Sequence, residues 1–207
     1  VTAPAAPTVL TGSPALPPLL ARGALLCPFK RPRPGADFPR TRLVLPGLRV
    51  DRARLAAYER VCGFPAGDGL PVTYPHVLGF PLAMRLMSDR AFPLPLPGLV
   101  HTSIAVTRHT RLTTTDAYEL AVHVEGLAPH RRGTEAAVVT EARVAGDVVW
   151  ESRSTYLARH RTPGGPEAAE SGESVGSRPP SPESVDPGES VGPGESAEVP
   201  VGERGEG

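Results

Sequence analysis

Apolar positions along this chain change their period twice. "TRLVLPGLRV", from Thr41 to Val50, is a short strand broken by Pro46 and Gly47, and the spacing then becomes helical in "VDRARLAAYERVCGF". Asp51 is a suitable N-cap, Leu55, Tyr58 and Cys62 fall on one side of the helix, and Gly63 stops it. The stretch Leu70 to His101, "LPVTYPHVLGFPLAMRLMSDRAFPLPLPGLVH", is apolar almost throughout, with little charge until Arg85. Pro75 fits a first helical turn. Pro81 removes an amide donor and clashes with the preceding turn, so the pattern predicts a broken helix: a turn over Pro75 to Gly79, then a main segment from Pro81 to about Ser88. Leu82, Met84, Leu86 and Met87 surround that segment, and a helix apolar on most sides is an enclosed one.

Beyond it the period falls to two. In "YELAVHVEGL", Leu120, Val122 and Val124 alternate with Glu119, His123 and Glu125; in "TEAAVVTEARV", Val138, Thr140, Ala142 and Val144 oppose Glu135, Glu141 and Arg143. These are half-buried strands. Gly146 and Asp147 turn the chain into "VVWESRSTYLARH", completing a hairpin. With "GLVHTSIAVTRHTRL" ahead of them, the prediction is four long antiparallel strands in meander order after one enclosed helix. The fold class is α+β, a curved antiparallel sheet wrapped around a central helix.

Both ends differ from this middle. Residues 1–40 are Pro-rich with short apolar pieces, and "KRPRPG", Lys30 to Gly35, reads as an extended, exposed connector. Residues 162–207 repeat "GESV", "PESV", "GESV" and "GESA" without an aromatic residue, and are expected to form a disordered linker or tail. The formal net charge of zero is a cancellation: the tail holds ten acidic residues against two arginines, residues 1–161 twenty basic against twelve acidic. That modest surplus suits an anionic small molecule and gives poor support for nucleic-acid binding.

Two isolated cysteines, Cys27 and Cys62, are too few for a disulfide framework or a zinc site and read as structural thiols in a reducing, cytoplasmic setting. The apolar N-terminus lacks a basic flank, and its prolines would interrupt a signal peptide. No run approaches the roughly 20 apolar residues that span a bilayer, so no membrane partner is expected. Neither a Gly-rich phosphate loop nor a Ser-His-Asp array nor metal-ligand spacing is present, and no cofactor is implied.

"LPVTYPHVLGFPLAMRLM", "FPLPLPGLVH", the "PHRRG" turn and "VVWESRSTYLARH" occur in an order that resembles the N-terminal hot-dog repeat of MaoC-like dehydratases, the hydratase-2 type of (R)-specific enoyl-CoA hydratase. The resemblance covers about residues 41–160, and 41–161 is read as a single hot-dog domain. It implies an acyl-CoA or acyl-carrier-protein thioester as substrate and reversible hydration of a 2-enoyl to an (R)-3-hydroxyacyl group. It also implies an Asp and a His on a D-x-N-P-[LIV]-H loop of the other, C-terminal repeat, one activating water and one managing the α-proton.

This sequence has no copy of that motif, and asparagine is absent altogether. Asp68 and His76 are eight apart where the pattern needs five, and Asp116 and His123 enter a strand. No catalytic residue is therefore assigned. The catalytic half is expected from a second hot-dog chain, in a homo- or heterodimer, or from a longer reading frame. The alternatives are a non-catalytic acyl-binding or scaffold subunit and, less favoured, a thioesterase, for which Asp89 at the far end of the helix is the sole nearby acid. The candidate substrate-binding residues are His76, Tyr74, Arg131 and Arg132. His76, where a helix begins, can meet a ligand carbonyl or be satisfied by nearby backbone. Arg131 and Arg132 can pair with CoA phosphate or simply form a solvated hairpin turn. Tyr74 is a packing residue unless a cleft opens beside it. His101, at a strand start beneath the helix, reads as a core or interface histidine.

Overall fold

A computed structural model describes residues 6–160; the segment 162–207, expected to be disordered, lies outside the described residues. The sheet has six strands, β1 (Thr8–Val9), β2 (Leu43–Arg49), β3 (Val100–Arg108), β4 (Ala117–His130), β5 (Gly133–Val144) and β6 (Asp147–Arg159), in the order β1-β2-β4-β5-β6-β3. All neighbours are antiparallel except β1 with β2. Three helices accompany it, α1 (Leu16–Leu26), α2 (Arg52–Cys62) and α3 (Tyr74–Met87), and α3 packs against β4 and β5. This is the α+β hot-dog arrangement expected.

The helix over 51–63 forms as predicted. The Asp51 side chain accepts from the Ala53 and Arg54 amides, and Gly63 ends the helix in the left-handed conformation at φ 73°. Its buried face is Leu55 and Glu59, however, while Cys62 is exposed in a last turn that no element covers. The predicted break in the central helix does not occur. α3 runs unbroken from Tyr74 through Pro81 to Met87. Val77, whose carbonyl loses the amide that Pro81 lacks, is 45% exposed, so water can take that acceptor. The remaining turns are held by enclosure: Leu82, Met84, Leu86 and Met87 are all buried, each large apolar side chain contributing about 2 kcal/mol.

Helix and sheet approach closely at Gly79. A Cβ there would lie 2.5 Å from the Thr140 methyl carbon of β5, so glycine sets the spacing between the two layers. A second tie is the Trp150 indole N–H on β6, which donates to the Val72 carbonyl at 2.7 Å just before α3. Trp150 is itself fully buried.

The period-two pattern is reproduced in β4, where Leu120, Val122 and Val124 are buried. In β5, Val138, Thr140 and Ala142 are buried, but so is Glu141, which accepts from Arg42 at 2.6 Å and from Arg143 at 2.8 Å. Burial alone would raise its pKa, but those two guanidiniums outweigh it and hold the carboxyl below its usual range. The β5–β6 hairpin turns on Ala145 and Gly146, both at positive φ, one residue earlier than the Gly-Asp pair indicates.

Two expectations need correction. Strands β4, β5 and β6 form the predicted meander, but β3 pairs with β6 rather than β4, because β2 already occupies the free side of β4. The second concerns the Pro-rich segment 1–40: Lys30, placed in an exposed connector, is half-buried, and the short apolar pieces before it form a strand and a helix. The Thr8 amide donates to Arg42 and the Leu10 amide to Val44, building β1 onto the sheet. Pro17 and Pro18 lie in the first turn of α1, where a missing amide is harmless. α1 then lays Leu19 and Gly23 against the α3 side, Gly23 meeting Leu96. Among the described residues no helix is long and apolar enough to cross a membrane.

Gly79→Ala should destabilise the fold by about 1–3 kcal/mol through overpacking, despite alanine's better helix propensity. Adding Thr140→Ser, which removes the obstructing methyl, should recover most of the loss. Chemical denaturation of the two single variants and the pair checks this, and simple additivity would contradict the close approach.

Candidate functional site

Strand β6 presents Trp150, Ser152, Ser154 and Tyr156 to the helix side, all buried. Their partners across the ladder on β3 are Arg108, Val106, Ile104 and His101. β3 is the last strand of the sheet and is exposed along nearly its whole length on both faces. A strip of buried side chains thus runs between the exposed β3 edge and the first turn of α3.

His76 lies over this strip. Its Nδ1 is 3.3 Å from the Ser152 hydroxyl, and its ring stacks on that of His101 at 6.0 Å between centroids and 14° between planes. The His101 ring stacks in turn on Tyr156 at 4.7 Å and 17°. Burial, and then the neighbouring His101, lower the His76 pKa, so the imidazole is neutral at neutral pH. Burial raises that of Tyr156. A neutral imidazole beside a hydroxyl can hold a carbonyl or hydroxyl group by hydrogen bonds. It lacks the paired carboxylate that would make it a strong base toward water.

The other candidates lie elsewhere. Tyr74, two residues from His76, is buried against α2, its ring 5.1 Å from that of Tyr58. The Tyr58 hydroxyl engages Thr73 at 2.6 Å, so the residue preceding α3 packs rather than caps. Arg131 and Arg132 form the exposed tip of the β4–β5 hairpin, where the Arg132 amide donates to His130 Nδ1 and the Arg132 carbonyl accepts from the His160 amide, both at 3.1 Å. Neither Asp68 nor Asp116 pairs with His76: Asp68 pairs with Arg111 at 2.7 Å, and Asp116 accepts from the Tyr118 hydroxyl and the Thr113 amide. Asp89, the thioesterase candidate, follows α3 and pairs with Arg22 at 3.0 Å.

Sequence reasoning did not bring Ser152 and Tyr156 to the site. Their signal was the alternation Trp150, Ser152, Ser154, Tyr156, which sets one face of a strand. The partnership with His101 depended on β3 joining β6, which no local pattern carries.

No family model matches the chain. A stretch of 126 residues is 36% identical to 3-hydroxyacyl-thioester dehydratase X of Mycobacterium tuberculosis, covering 61% of this chain and 45% of that protein. Crystal structures of HtdX from the same organism are similar at TM-scores of 0.54 and 0.53, with 36% and 35% identity. Over that stretch the chain is similar to a 3-hydroxyacyl-thioester dehydratase. The shared part is 57% and 63% of this chain and 51% and 52% of the two HtdX chains, so it spans about half the length of the dehydratase relatives it matches.

His76 and, on β4, His123 both have pKa values lowered mainly by burial. The unfolded chain therefore binds protons that the folded domain resists, and the stability these groups allow is complete above about pH 6.5 and lost as pH falls below it. Melting temperature should drop as pH is lowered from ~7.5 to ~5. His76→Gln should show a smaller drop than wild type in the same thermal scans; an equal drop would place the acid sensitivity elsewhere.

Proposed function

We propose that this chain is the non-catalytic hot-dog half of an (R)-specific 3-hydroxyacyl-thioester dehydratase. It receives the acyl-CoA or acyl-carrier-protein thioester and pairs through β3 with a second hot-dog chain or repeat that supplies the acid/base dyad. The observation that carries this reading is β3 itself. Among the described residues the sheet stops there with a row of backbone groups facing no partner strand, both faces exposed and the half-buried His76 beside it. An edge left in that condition favours strand addition. On β3 itself, Val100 and Ile104 are 38% and 43% exposed and add apolar area that water disfavours.

Hydration of a 2,3-double bond needs one group to activate water and another to manage the proton at the α-carbon. Neither D-x-N-P-[LIV]-H nor any asparagine is present to build that pair here. His76 with Ser152 is suited to holding the thioester, and exposed Arg131 and Arg132 to meeting CoA phosphates bidentately. Tyr74 acts at one remove, by fixing the start of α3 against Tyr58. The alternative scaffold role shares the β3 contact and differs only in whether the paired assembly turns over substrate.

The chain alone should hydrate crotonyl-CoA no faster than buffer, and mixing it with a hot-dog chain that carries the motif should give activity. Ile104→Lys, which places a charge on the β3 flank, should abolish that gain without unfolding either chain, as followed by circular dichroism. Hydration by the chain alone that disappears on His76→Ala would refute the division of labour. A stable pair with no hydration would select the scaffold role.

A further inference from the structure

Helix α1 and the 3-10 turn that follows it, Cys27–Phe29, are apolar on both sides. Leu19 and Gly23 are buried against the α3 side. On the opposite side Pro18, Ala21 and Leu25 follow at the three- and four-residue spacing of a helix face, and all three are exposed. Phe29, four residues beyond Leu25, extends that stripe to the end of the turn. Leu25 and Phe29 are each 75% exposed, and Leu20, between the two sides, is 50% exposed. With Val9 on β1 they make four of the nine large apolar side chains exposed among the described residues. A helix apolar all round is ordinarily enclosed; this one is covered along one side. The strand leading into it, β1, ends the sheet at the edge opposite β3, so a strand added at β3 joins the other edge.

The charge beside this face has one sign. Residues 1–36 hold four basic residues, Arg22, Lys30, Arg31 and Arg33, and no acidic one. Arg22 pairs with Asp89 at 3.0 Å, and the Lys30 Nζ donates to the Met87 carbonyl at 2.9 Å, which together fix the arm to the end of α3. Arg31 and Arg33 are exposed and in no ion pair among the described residues. An apolar face flanked by such guanidiniums suits an anionic surface, whereas a second copy of the same face would bring like charges together. Size separates a lipid from a protein partner. The helix is about 16 Å long and one face of it about 10 Å wide, far short of the ~800 Å2 that each side of a stable protein complex buries. A bilayer sets no such minimum, because single leucine and phenylalanine side chains can enter the boundary between headgroups and acyl chains while arginines meet lipid phosphates.

We propose that the α1 arm is a peripheral membrane contact: Leu20, Leu25 and Phe29 enter an anionic phospholipid surface, and Arg31 and Arg33 meet its phosphates. Lying on a bilayer requires no spanning length, so a helix of 11 residues is long enough. The inference does not rest on the hydration reading, since neither His76 nor β3 takes part in it.

The test is cosedimentation of the full chain with vesicles of equal parts phosphatidylcholine and phosphatidylglycerol at ~0.15 M salt, where charges more than about 8 Å apart are screened. The chain should pellet with these vesicles and several-fold less with phosphatidylcholine alone. Leu25→Ser with Phe29→Ser should lower the partition at least about tenfold, and Arg31→Gln with Arg33→Gln should remove the preference for phosphatidylglycerol. All four side chains are exposed, so circular dichroism should show both variants folded. In Phe29→Trp the new indole should shift to the blue on adding mixed vesicles and be quenched by brominated acyl chains, against the constant background of the fully buried Trp150. No pelleting with mixed vesicles, equal pelleting of Leu25→Ser with Phe29→Ser, or an indole that brominated lipid does not quench would overturn the proposal. So would a wild-type dimer, lost in that apolar double variant, that binds no vesicles, which would assign the face to a second copy.

Discussion

Helix α3 rests against β5 at a point where a side chain is missing, and that contact governs the rest of the molecule. Gly79 admits the Thr140 methyl, the two layers close, and Leu82, Met84, Leu86 and Met87 leave water together. A helix apolar on every side needs cover on every side. The sheet supplies it through β4 and β5, and α1 adds Leu19 and Gly23. Along β3 the cover runs out: the strand pairs with β6 by one edge only and is open on both faces. Structural sufficiency at Gly79 and insufficiency at β3 are two aspects of one packing problem.

In the core, Trp150 is paired to Val72 and Glu141 to Arg42 and Arg143, while Glu59 Oε1, His123 Nδ1 and Ser154 Oγ are buried without a hydrogen-bond partner. Beside the exposed β3 edge the groups are an imidazole stack and a hydroxyl, His76, His101 and the buried Tyr156 and Ser152, with no carboxylate joining them among the described residues. A neutral imidazole beside a hydroxyl can hold a polar atom by hydrogen bonds, whereas a proton-transfer dyad requires an acid paired with it. The stretch similar to the dehydratase, 126 residues, makes up 45% of that protein.

Much of this was legible in the sequence where local chemistry decides the outcome. Asp51 and Gly63 bracket α2, and the alternation around Val122 and Val138 defines β4 and β5, because capping and side-chain period act over a few residues. Tertiary context overrode local preference elsewhere. Pro81 is accommodated because its neighbours are enclosed and Val77 faces water, and α1 forms because its prolines fall in a first turn that can dock. His76 was legible as a residue at a helix start, but its companions depended on β3 crossing to β6, a pairing between residues some fifty positions apart in sequence.

The most direct test of this account is amide hydrogen exchange of β3 against β5, followed as protein concentration is raised or a hot-dog partner is added. The account predicts fast exchange in β3 and slow exchange in β5 at high dilution, with β3 alone gaining protection on association. Protection of β3 equal to that of β5 at every concentration would contradict it.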